Sequence, residues 1–341
     1  LIRIMSSTNH TIIIAEAGVN HNGNLELAQR MVRVARECGA DYVKFQTAVP
    51  ELVISTVAPK AEYQKETTGS EQSQLEMCRA IHLPLSDYAG LAELCRQEGI
   101  GFVSTPFDLV SIDCLAPLGM DFWKIPSGEI TNLPYLRKIG ARGERVVMST
   151  GMATLPEVEA AVQVLEKAGT PRSHITLLHC TTQYPTPYSA VALRAMKSLE
   201  SVGCAAVGYS DHTLGIEVSV AAVAMGARVI EKHFTLDRNM PGPDHRASLD
   251  PQGLKDLVSA IRHIEAAMGD GRKEVAEAER PNIEVARKSI VAARPIARGE
   301  ILTEENITVK RPGNGISPML WDQVIGTPAA DDFAADALIT L

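Results

Sequence analysis

The chain has 341 residues, of which 45% are apolar and only 4% aromatic, which is typical of a soluble globular protein with an aliphatic core. The formal net charge of −8 argues against a general nucleic-acid surface, although an anionic substrate can still bind in a locally basic pocket. No run of about 18 apolar residues and no signal-peptide pattern occurs, so we expect no membrane partner. Six cysteines without a Cys-x-x-Cys pair indicate reduced thiols, and we expect a cytoplasmic protein.

A β-branched run at residues 11–17 begins a regular alternation of strand-like and helical segments. A turn, a helix that Asn24 can cap and a second strand-like run at 41–46 follow it, which predicts a βαβ unit and hence a parallel sheet. The alternation then continues along the chain. Further strand-like runs are at 100–104, 121–125, 146–150, 175–180, 205–209 and 228–233, and the clearest helical patterns are at 156–168, 214–225 and 251–268.

Eight strand–helix units within about 270 residues are the expected size of an α/β protein of the (β/α)8 TIM-barrel class. A doubly wound sheet is the alternative, but it usually has fewer strands and a Gly-x-Gly-x-x-Gly turn, and none follows the first strand. We therefore predict a TIM barrel over residues 1–270. A charged linker over 271–285 and a small β-rich domain over 286–341 should follow. The long polar segment 47–72 is predicted to be a loop and a candidate lid.

Polar side chains are concentrated at the predicted carboxyl ends of the strands, where TIM barrels place their chemistry. Lys44 and Lys124 lie within strands, and hydroxyl side chains lie nearby. Two inward lysines would repel each other and be costly to desolvate without an anion. Ammonium and hydroxyl groups are common phosphate ligands, so the pattern predicts a site for a phosphorylated or carboxylated substrate. The candidate ligands are Lys44, Thr105, Lys124, Ser127, Ser149 and Ser210.

Two histidines, His212 and His233, follow neighbouring predicted strands. A single histidine there is more often a hydrogen-bonded core residue, but two at adjacent strand ends can share a divalent cation. A closed structural zinc site needs four protein ligands, and no cysteine is close in sequence, so Mn²⁺ or Mg²⁺ acting as a Lewis acid is favoured. Asp211 either orients His212 or caps the next helix. Glu231 shares the strand face of His233 and should also point inward.

Together these segments resemble N-acetylneuraminate (sialic acid) synthase and its nonulosonate-synthase relatives over essentially the whole chain. The C-terminal segment, including 309–315, resembles the SAF domain, which is similar to type III antifreeze protein. The matching stretches are Glu-Ala-Gly-Val-Asn-His-Asn-Gly at 16–23, Trp-Lys-Ile-Pro-Ser-Gly-Glu at 123–129, Tyr-Ser-Asp-His-Thr at 209–213, and those at 43–47, 104–107, 149–152, 179–187, 230–234 and 241–244.

The resemblance implies that phosphoenolpyruvate condenses with an N-acetylated hexose, N-acetylmannosamine in the sialic acid case. The products are phosphate and a nine-carbon 2-keto acid, N-acetylneuraminate. It implies that the six anion-site candidates bind phosphoenolpyruvate and that His212 and His233 bind a divalent metal, Mn²⁺ in first place and Mg²⁺ or Co²⁺ as alternatives. The sugar contacts that it implies are Glu16, Glu129, Thr182, Tyr184, Asp244 and Arg311.

Two further roles depend on that reaction. Cationic character at C2 calls for a carboxylate that stabilises it and takes a proton from water, and Glu129 is preferred to Glu16 for this catalytic role. Arg311 is implied to reach the sugar from the tail domain of the partner subunit in a domain-swapped homodimer.

The identity of the sugar stays open. Thr182 stands where some sialic acid synthases carry Asn, and Gln183 stands where relatives often carry Glu. The alternative sugar is 2,4-diacetamido-2,4,6-trideoxymannose, whose product is N,N'-diacetyllegionaminic acid. From another class, a non-catalytic carbohydrate-binding coat protein is the rival, but it would need neither paired lysines nor paired histidines. A barrel that uses a phosphorylated sugar would need a second basic cluster, which the sequence lacks.

Overall fold

The structure, a computed structural model, describes residues 10–69 and 71–341. Its backbone packing divides the chain after Gly269 into two compact units, and the division falls at the start of the predicted linker. In the first unit, the described residues include eight parallel strands joined in one sheet. They are β1 (Ile12–Gly18), β2 (Tyr42–Thr47), β3 (Gly101–Pro106), β4 (Trp123–Ile125), β5 (Val146–Ser149), β6 (Ile175–His179), β7 (Ala206–Asp211) and β8 (Val229–His233).

The sheet closes on itself, which confirms the predicted TIM barrel. Its hydrogen-bonded order is β3-β2-β1-β8-β7-β6-β5-β4, and the terminal strands β3 and β4 contact each other. Each strand is followed by at least one helix. The helices are α1 (Leu25–Glu37), α2 (Pro50–Val53), α3 (Glu62–Thr68), α4 (Gln74–Ile81), α5 (Asp87–Glu98), α6 (Leu109–Leu115), α7 (Leu133–Gly140), α8 (Leu155–Ala168), α9 (Ala195–Glu200), α10 (Glu217–Ala224) and α11 (Pro251–Ala267).

The segment 47–72 is not the single loop that the sequence predicted. Helices α2 and α3 lie within it, and α4 follows directly. Ser70, also in this segment, lies outside the described residues. At four and seven residues, α2 and α3 are too short to show the helical period that guided the other assignments.

The barrel interior has an apolar layer towards the amino ends of the strands and a polar layer towards their carboxyl ends. Tyr42 and Phe122 pack edge to face in the apolar layer, with ring centroids 5.1 Å apart. Gly101 makes room for the Tyr42 ring, since a Cβ there would lie 2.2 Å from it. Side chains alternate along a strand, so the next inward positions after Ile14 and Tyr42 are Glu16 and Lys44. The polar layer therefore forms the floor of the space above the carboxyl ends of the strands.

The second unit is small and β-rich, as predicted. Its antiparallel strands β9 (Ser289–Ala292) and β10 (Ile307–Lys310) pair so that Ile307 lies opposite Ala292. Ile290, Ile296 and Phe333 belong to a separate apolar core. The short helices of this unit are α12 (Arg280–Ala286), which begins inside the predicted linker, and α13 (Trp321–Val324).

Over the residues that the structure describes, no helix combines the length and the apolar character that a bilayer span requires.

Candidate active site

The carboxyl ends of the barrel strands open into a pocket of about 450 Å³. It brings together most of the residues that the sequence singled out, although they are spread over more than two hundred positions of the chain. The predicted residues that line it are Glu16, Lys44, Thr105, Lys124, Ser127, Ser149, Thr182, Tyr184, Ser210, His212, His233 and Asp244.

Two buried lysines form the floor of the pocket, each beside a hydroxyl side chain. Lys44 Nζ donates to Thr105 Oγ1 at 2.9 Å, and Lys124 Nζ donates to Ser149 Oγ at 2.8 Å. Each hydroxyl accepts from its lysine and so keeps its own hydrogen to donate to a ligand. Ammonium groups next to hydroxyl donors are well suited to hold phosphate or carboxylate oxygens.

Two buried carboxylates already balance these lysines. Lys44 Nζ lies 2.6 Å from Glu16 Oε2 and 3.9 Å from Glu231 Oε2. Lys124 Nζ lies 3.5 Å from Glu231 Oε1, which also accepts a hydrogen bond from Ser210 at 3.0 Å. The expectation that the lysines need a bound anion to offset their repulsion is therefore wrong, because protein carboxylates do so. The inward direction predicted for Glu231 is confirmed.

Burial and neighbouring charges set the protonation of this group. Burial raises the pKa of Glu16, and the Glu231 carboxylate adds to the rise while Lys44 opposes it. Burial alone would also raise the pKa of Glu231, but Lys124 and Lys44 hold it below its ordinary value. Burial lowers the pKa of Lys124. Of the two carboxylates, Glu16 is therefore the one that takes up a proton more readily.

His212 and His233 lie side by side, with ring centroids 5.6 Å apart. His212 Nδ1 lies 2.6 Å from the Thr181 carbonyl oxygen. A carbonyl only accepts, so Nδ1 carries the hydrogen and Nε2 keeps its lone pair. Burial lowers the pKa of His212 to about 4 and that of His233 well below its ordinary value, so both imidazoles are neutral near pH 7.

The chemistry of this pair fits the predicted divalent-cation site. Neutral imidazole is the form that binds a metal, and His233 Nδ1 is buried without a hydrogen-bond partner in the described part of the chain. Among residues 10–69 and 71–341, no group of three or more His, Cys, Asp and Glu side chains is arranged as a metal site. A cation held by this pair would keep coordination positions for water and substrate oxygens.

Tyr184 lies against the two histidines, and Asp244 also lines the pocket. The Tyr184 ring lies 4.1 Å from the His212 ring and meets the His233 ring edge-on at 5.6 Å, measured between centroids. Asp244 Oδ1 is buried and has no hydrogen-bond partner within residues 10–69 and 71–341. Burial, and then the charge of Glu16, raise the pKa of Asp244 to about 7. This oxygen is available to a hydroxyl or N–H group of a ligand.

Two predicted site residues do not line the pocket. Glu129 is half-buried beside it, where Oε2 accepts a hydrogen bond from Asn132 at 2.6 Å, and burial raises its pKa. Arg311 belongs to the second unit, where it is exposed and its Nε donates to the Ala286 carbonyl at 3.1 Å. The catalytic role of Glu129 and the sugar contact of Arg311 stay predictions.

The sequence did not identify the side of the pocket that α3 and α4 form. Gln64 from α3, Gln74, Met77 and Cys78 from α4, and His82 after it line this side. None of them lies at a strand end, which was the signal that located the other residues. Part of the segment predicted as a candidate lid is thus a wall of the pocket.

Comparisons with known proteins show which family the chain matches. A model described as the NeuB family matches residues 31–273, and a SAF domain model matches 287–341. The chain is 53% identical to an N,N'-diacetyllegionaminic acid synthase of Campylobacter jejuni, over 96% of this chain and 98% of that protein. It is 44% identical to one of Legionella pneumophila, over 98% and 94%. A crystal structure of N-acetylneuraminic acid (sialic acid) synthetase from Leptospira borgpetersenii, in complex with citrate, matches with a TM-score of 0.69 and 34% identity, over 80% and 90%.

Proposed function

Because this chain belongs to the NeuB family of nonulosonate synthases, we propose that it condenses phosphoenolpyruvate with 2,4-diacetamido-2,4,6-trideoxymannose. The products would be N,N'-diacetyllegionaminic acid and phosphate. The relatives at 53% and 44% identity carry that name, whereas the sialic acid synthetase of known structure is 34% identical. The order in which the sequence alone placed the two sugars, with N-acetylmannosamine first, is therefore reversed here.

The observation that carries the proposal is one pocket with two buried lysine–hydroxyl pairs and two neutral imidazoles. We assign the lysine–hydroxyl pairs, together with Ser127 and Ser210, to the phosphate and carboxylate of phosphoenolpyruvate. We assign Thr182, Tyr184 and Asp244 to the sugar. Both substrates would then meet above the strand ends.

We assign a divalent cation, Mn²⁺ in first place, to His212 and His233. When bound, it would supply Lewis acidity that polarises the aldehyde oxygen of the open-chain sugar. The hydrogen bond from His212 Nδ1 to the Thr181 carbonyl fixes which ring nitrogen faces a ligand.

The chain's own residues then account for the remaining steps. C3 of phosphoenolpyruvate forms a bond to the aldehyde carbon, the aldehyde oxygen gains a proton, and C2 becomes electron-deficient. Water adds to C2 and loses one proton, which leaves a C2 hydroxyl. The C2–O bond to phosphate then breaks with its electron pair leaving on phosphate, and the hydroxyl gives its proton to that phosphate as the 2-keto group forms. Lys44 and Lys124 would hold the charge that grows on that phosphate. We assign the proton acceptor to Glu16 ahead of Glu129, because Glu16 lines the pocket, whereas Glu129 lies beside it, and burial raises the pKa of Glu16.

A panel of sugars tests the proposal. Purified protein with Mn²⁺ and phosphoenolpyruvate is given 2,4-diacetamido-2,4,6-trideoxymannose, N-acetylmannosamine or its 6-phosphate, and products are identified by mass. The diacetamido sugar should exceed the others in kcat/KM by about tenfold or more, since a pocket built for its polar groups rejects analogues that lack them. A higher kcat/KM for N-acetylmannosamine would instead support N-acetylneuraminate as the product. Sugar binding without phosphate release would favour the non-catalytic coat protein.

A further inference from the structure

A buried ion pair lies behind the two histidines, on the strand face that points away from the pocket. Asp211 ends β7, Lys232 is the penultimate residue of β8, and the two are partners in the parallel register. Lys232 Nζ lies 2.8 Å from Asp211 Oδ2, and the two side chains are 2% and 0% exposed. His212 follows Asp211 and His233 follows Lys232, so each member of the pair adjoins one histidine.

The ion pair makes hydrogen bonds to the turn that carries His212. Asp211 Oδ1 accepts hydrogen bonds from the Thr213 N–H at 2.9 Å and from its hydroxyl at 2.8 Å. Lys232 Nζ donates to the Thr213 carbonyl at 2.8 Å. Ser219 on α10 donates to Asp211 Oδ2 at 2.6 Å. Both backbone polar groups of Thr213 are thus held by side chains from two strands.

Of the two roles that the sequence suggested for Asp211, helix capping is not observed, and any orientation of His212 acts through the turn and not through a direct hydrogen bond. Asp211 Oδ1 accepts from Thr213 and Oδ2 accepts from Ser219 and Lys232, and no bond from Asp211 to the His212 ring occurs among the described contacts. The residue that α10 uses as its N-cap is Ile216. Asp211 therefore connects the His212 turn to the strand that carries His233.

His233 depends on its strand more than His212 does. The His212 ring donates to the Thr181 carbonyl, whereas His233 Nδ1 has no partner among the described residues. The direction of the His233 ring is therefore set by its backbone and its packing. Lys232, one residue before it, is a side chain that connects this part of β8 to β7.

Stability alone does not explain a charged pair at this place. Buried ion pairs can often be replaced by apolar side chains of similar volume with little loss of stability, because desolvation offsets their attraction. Their best supported role is to select one geometry over close alternatives. Here the geometry that they select is the spacing between two neighbouring strand ends.

We infer that Asp211 and Lys232 are positioning residues that fix His212 and His233 at the spacing that a shared cation requires. The inference rests on the proposed two-histidine cation site. It predicts that removing the pair disturbs the histidines in a protein that still folds, beyond the stability lost when Thr213 and Ser219 lose their partners.

The test compares two double variants. Asp211→Leu with Lys232→Met removes the pair, and Asp41→Leu with Arg262→Met removes a second, part-exposed ion pair, 2.9 Å apart, near the amino ends of the strands. Stability is measured by thermal unfolding, and Mn²⁺ affinity by titration calorimetry. In ¹⁵N-histidine protein with chelator, solvent exchange of the His212 ring N–H is also measured. Removing Asp211 and Lys232 should weaken Mn²⁺ binding by about 10–100-fold and speed the exchange, as loss of residues that orient metal ligands does.

The control pair should change neither Mn²⁺ affinity nor exchange, whatever it does to stability. Unchanged affinity and exchange in a folded protein without Asp211 and Lys232 would overturn the inference. Should that protein not fold, Ser219→Ala and Thr213→Val each remove one donor to Asp211, and wild-type behaviour of both would overturn it equally. Failure of the wild type to bind Mn²⁺ would reject the cation site itself, and the exchange measurement would still decide whether the pair positions His212.

Discussion

Burial decides the charge of the residues around the candidate cation site. Burial lowers the pKa of His212 and His233, so both imidazoles stay neutral. Burial raises the pKa of Asp244 to about 7, so this carboxyl can take up a proton near neutral pH. Neutral imidazoles and a protonatable carboxyl that line one pocket are suited to bind a cation and the polar groups of a ligand.

His212→Ala and His233→Ala each test the cation site at the residue scale. Each should abolish Mn²⁺-dependent turnover, since one imidazole cannot hold the cation in the productive position. Thermal unfolding should still show a folded protein. Phosphate release is the measurement, with and without added Mn²⁺, and full activity of the wild type in excess chelator would contradict the metal role.

Asp244→Asn tests the raised pKa. A carboxyl whose pKa rises from 3.8 to about 7 on folding stabilises the folded state below pH 4, and this contribution is lost as pH rises towards 7. In chelator and without substrate, the melting temperature of the wild type should therefore fall relative to the Asn variant between pH 4 and pH 8. A constant difference across that range would show that the Asp244 pKa is not raised.

At the residue scale, position at the carboxyl end of a strand located most of the site from the sequence, including Lys44 and Lys124. Strand parity added the inward direction of Glu231, because inward positions recur every second residue. It could not give the partners of these charges, since Glu16 and Lys44 meet across two strands whose register depends on the closed sheet. For that reason the charge argument overlooked the carboxylates.

In the barrel interior, bulky side chains of one strand lie next to glycine residues of a neighbouring strand. Tyr42 from β2 fills the space above Gly101 of β3, where a Cβ would lie 2.2 Å from the ring. Gly208 of β7 makes similar room, with a Cβ 2.3 Å from the Val229 carbonyl oxygen. Neighbouring strands can thus approach closely below the polar layer.

Gly101→Ala should lower the free energy of unfolding by about 1–3 kcal/mol, because the added methyl overpacks a closed interior. Gly90→Ala on α5 is the matched control, since a Cβ there meets no atom within 4 Å and alanine favours a helix. Urea unfolding of both variants is the measurement. Equal stability of the two would contradict the packing described for β2 and β3.

Long elements were predictable and short ones were not. The sequence located α8 and α11 to within one residue at each end because fourteen and seventeen residues show several helical turns. Helices α2 and α3 gave too little periodicity. The wall that α3 and α4 add to the pocket was missed for the same reason.

On the scale of the whole molecule, the resemblance implies a domain-swapped homodimer in which Arg311 completes the site of the partner subunit. Mixing two inactive variants tests this. Arg311→Ala keeps the barrel intact, and Lys124→Met keeps the C-terminal unit intact. Coexpression should restore about one quarter of wild-type activity, because half of the dimers would contain one complete site. If activity is not restored, Arg311 does not complete the site of the partner subunit.

The order of eight strand–helix units and the small β-rich unit could be predicted from the sequence, because each repeats a local pattern. The proposed role of Arg311 could not be derived from a local pattern and comes only from the resemblance. The comparisons favour the sugar that the sequence placed second, since Thr182 differs from a sialic acid synthase without specifying what it contacts.

The most direct test of a single phosphoenolpyruvate site above the barrel is phosphate release by Lys124→Met. Removing this lysine leaves Glu231 with Lys44 and Ser210, so the protein should fold. With phosphoenolpyruvate, Mn²⁺ and the diacetamido sugar, turnover should fall by about 10²–10³, as when a donor to a developing oxyanion is removed. Lys138→Met, which changes a half-buried lysine of α7 outside the pocket, should be unaffected. Phosphate release at the wild-type rate by folded Lys124→Met would contradict the account.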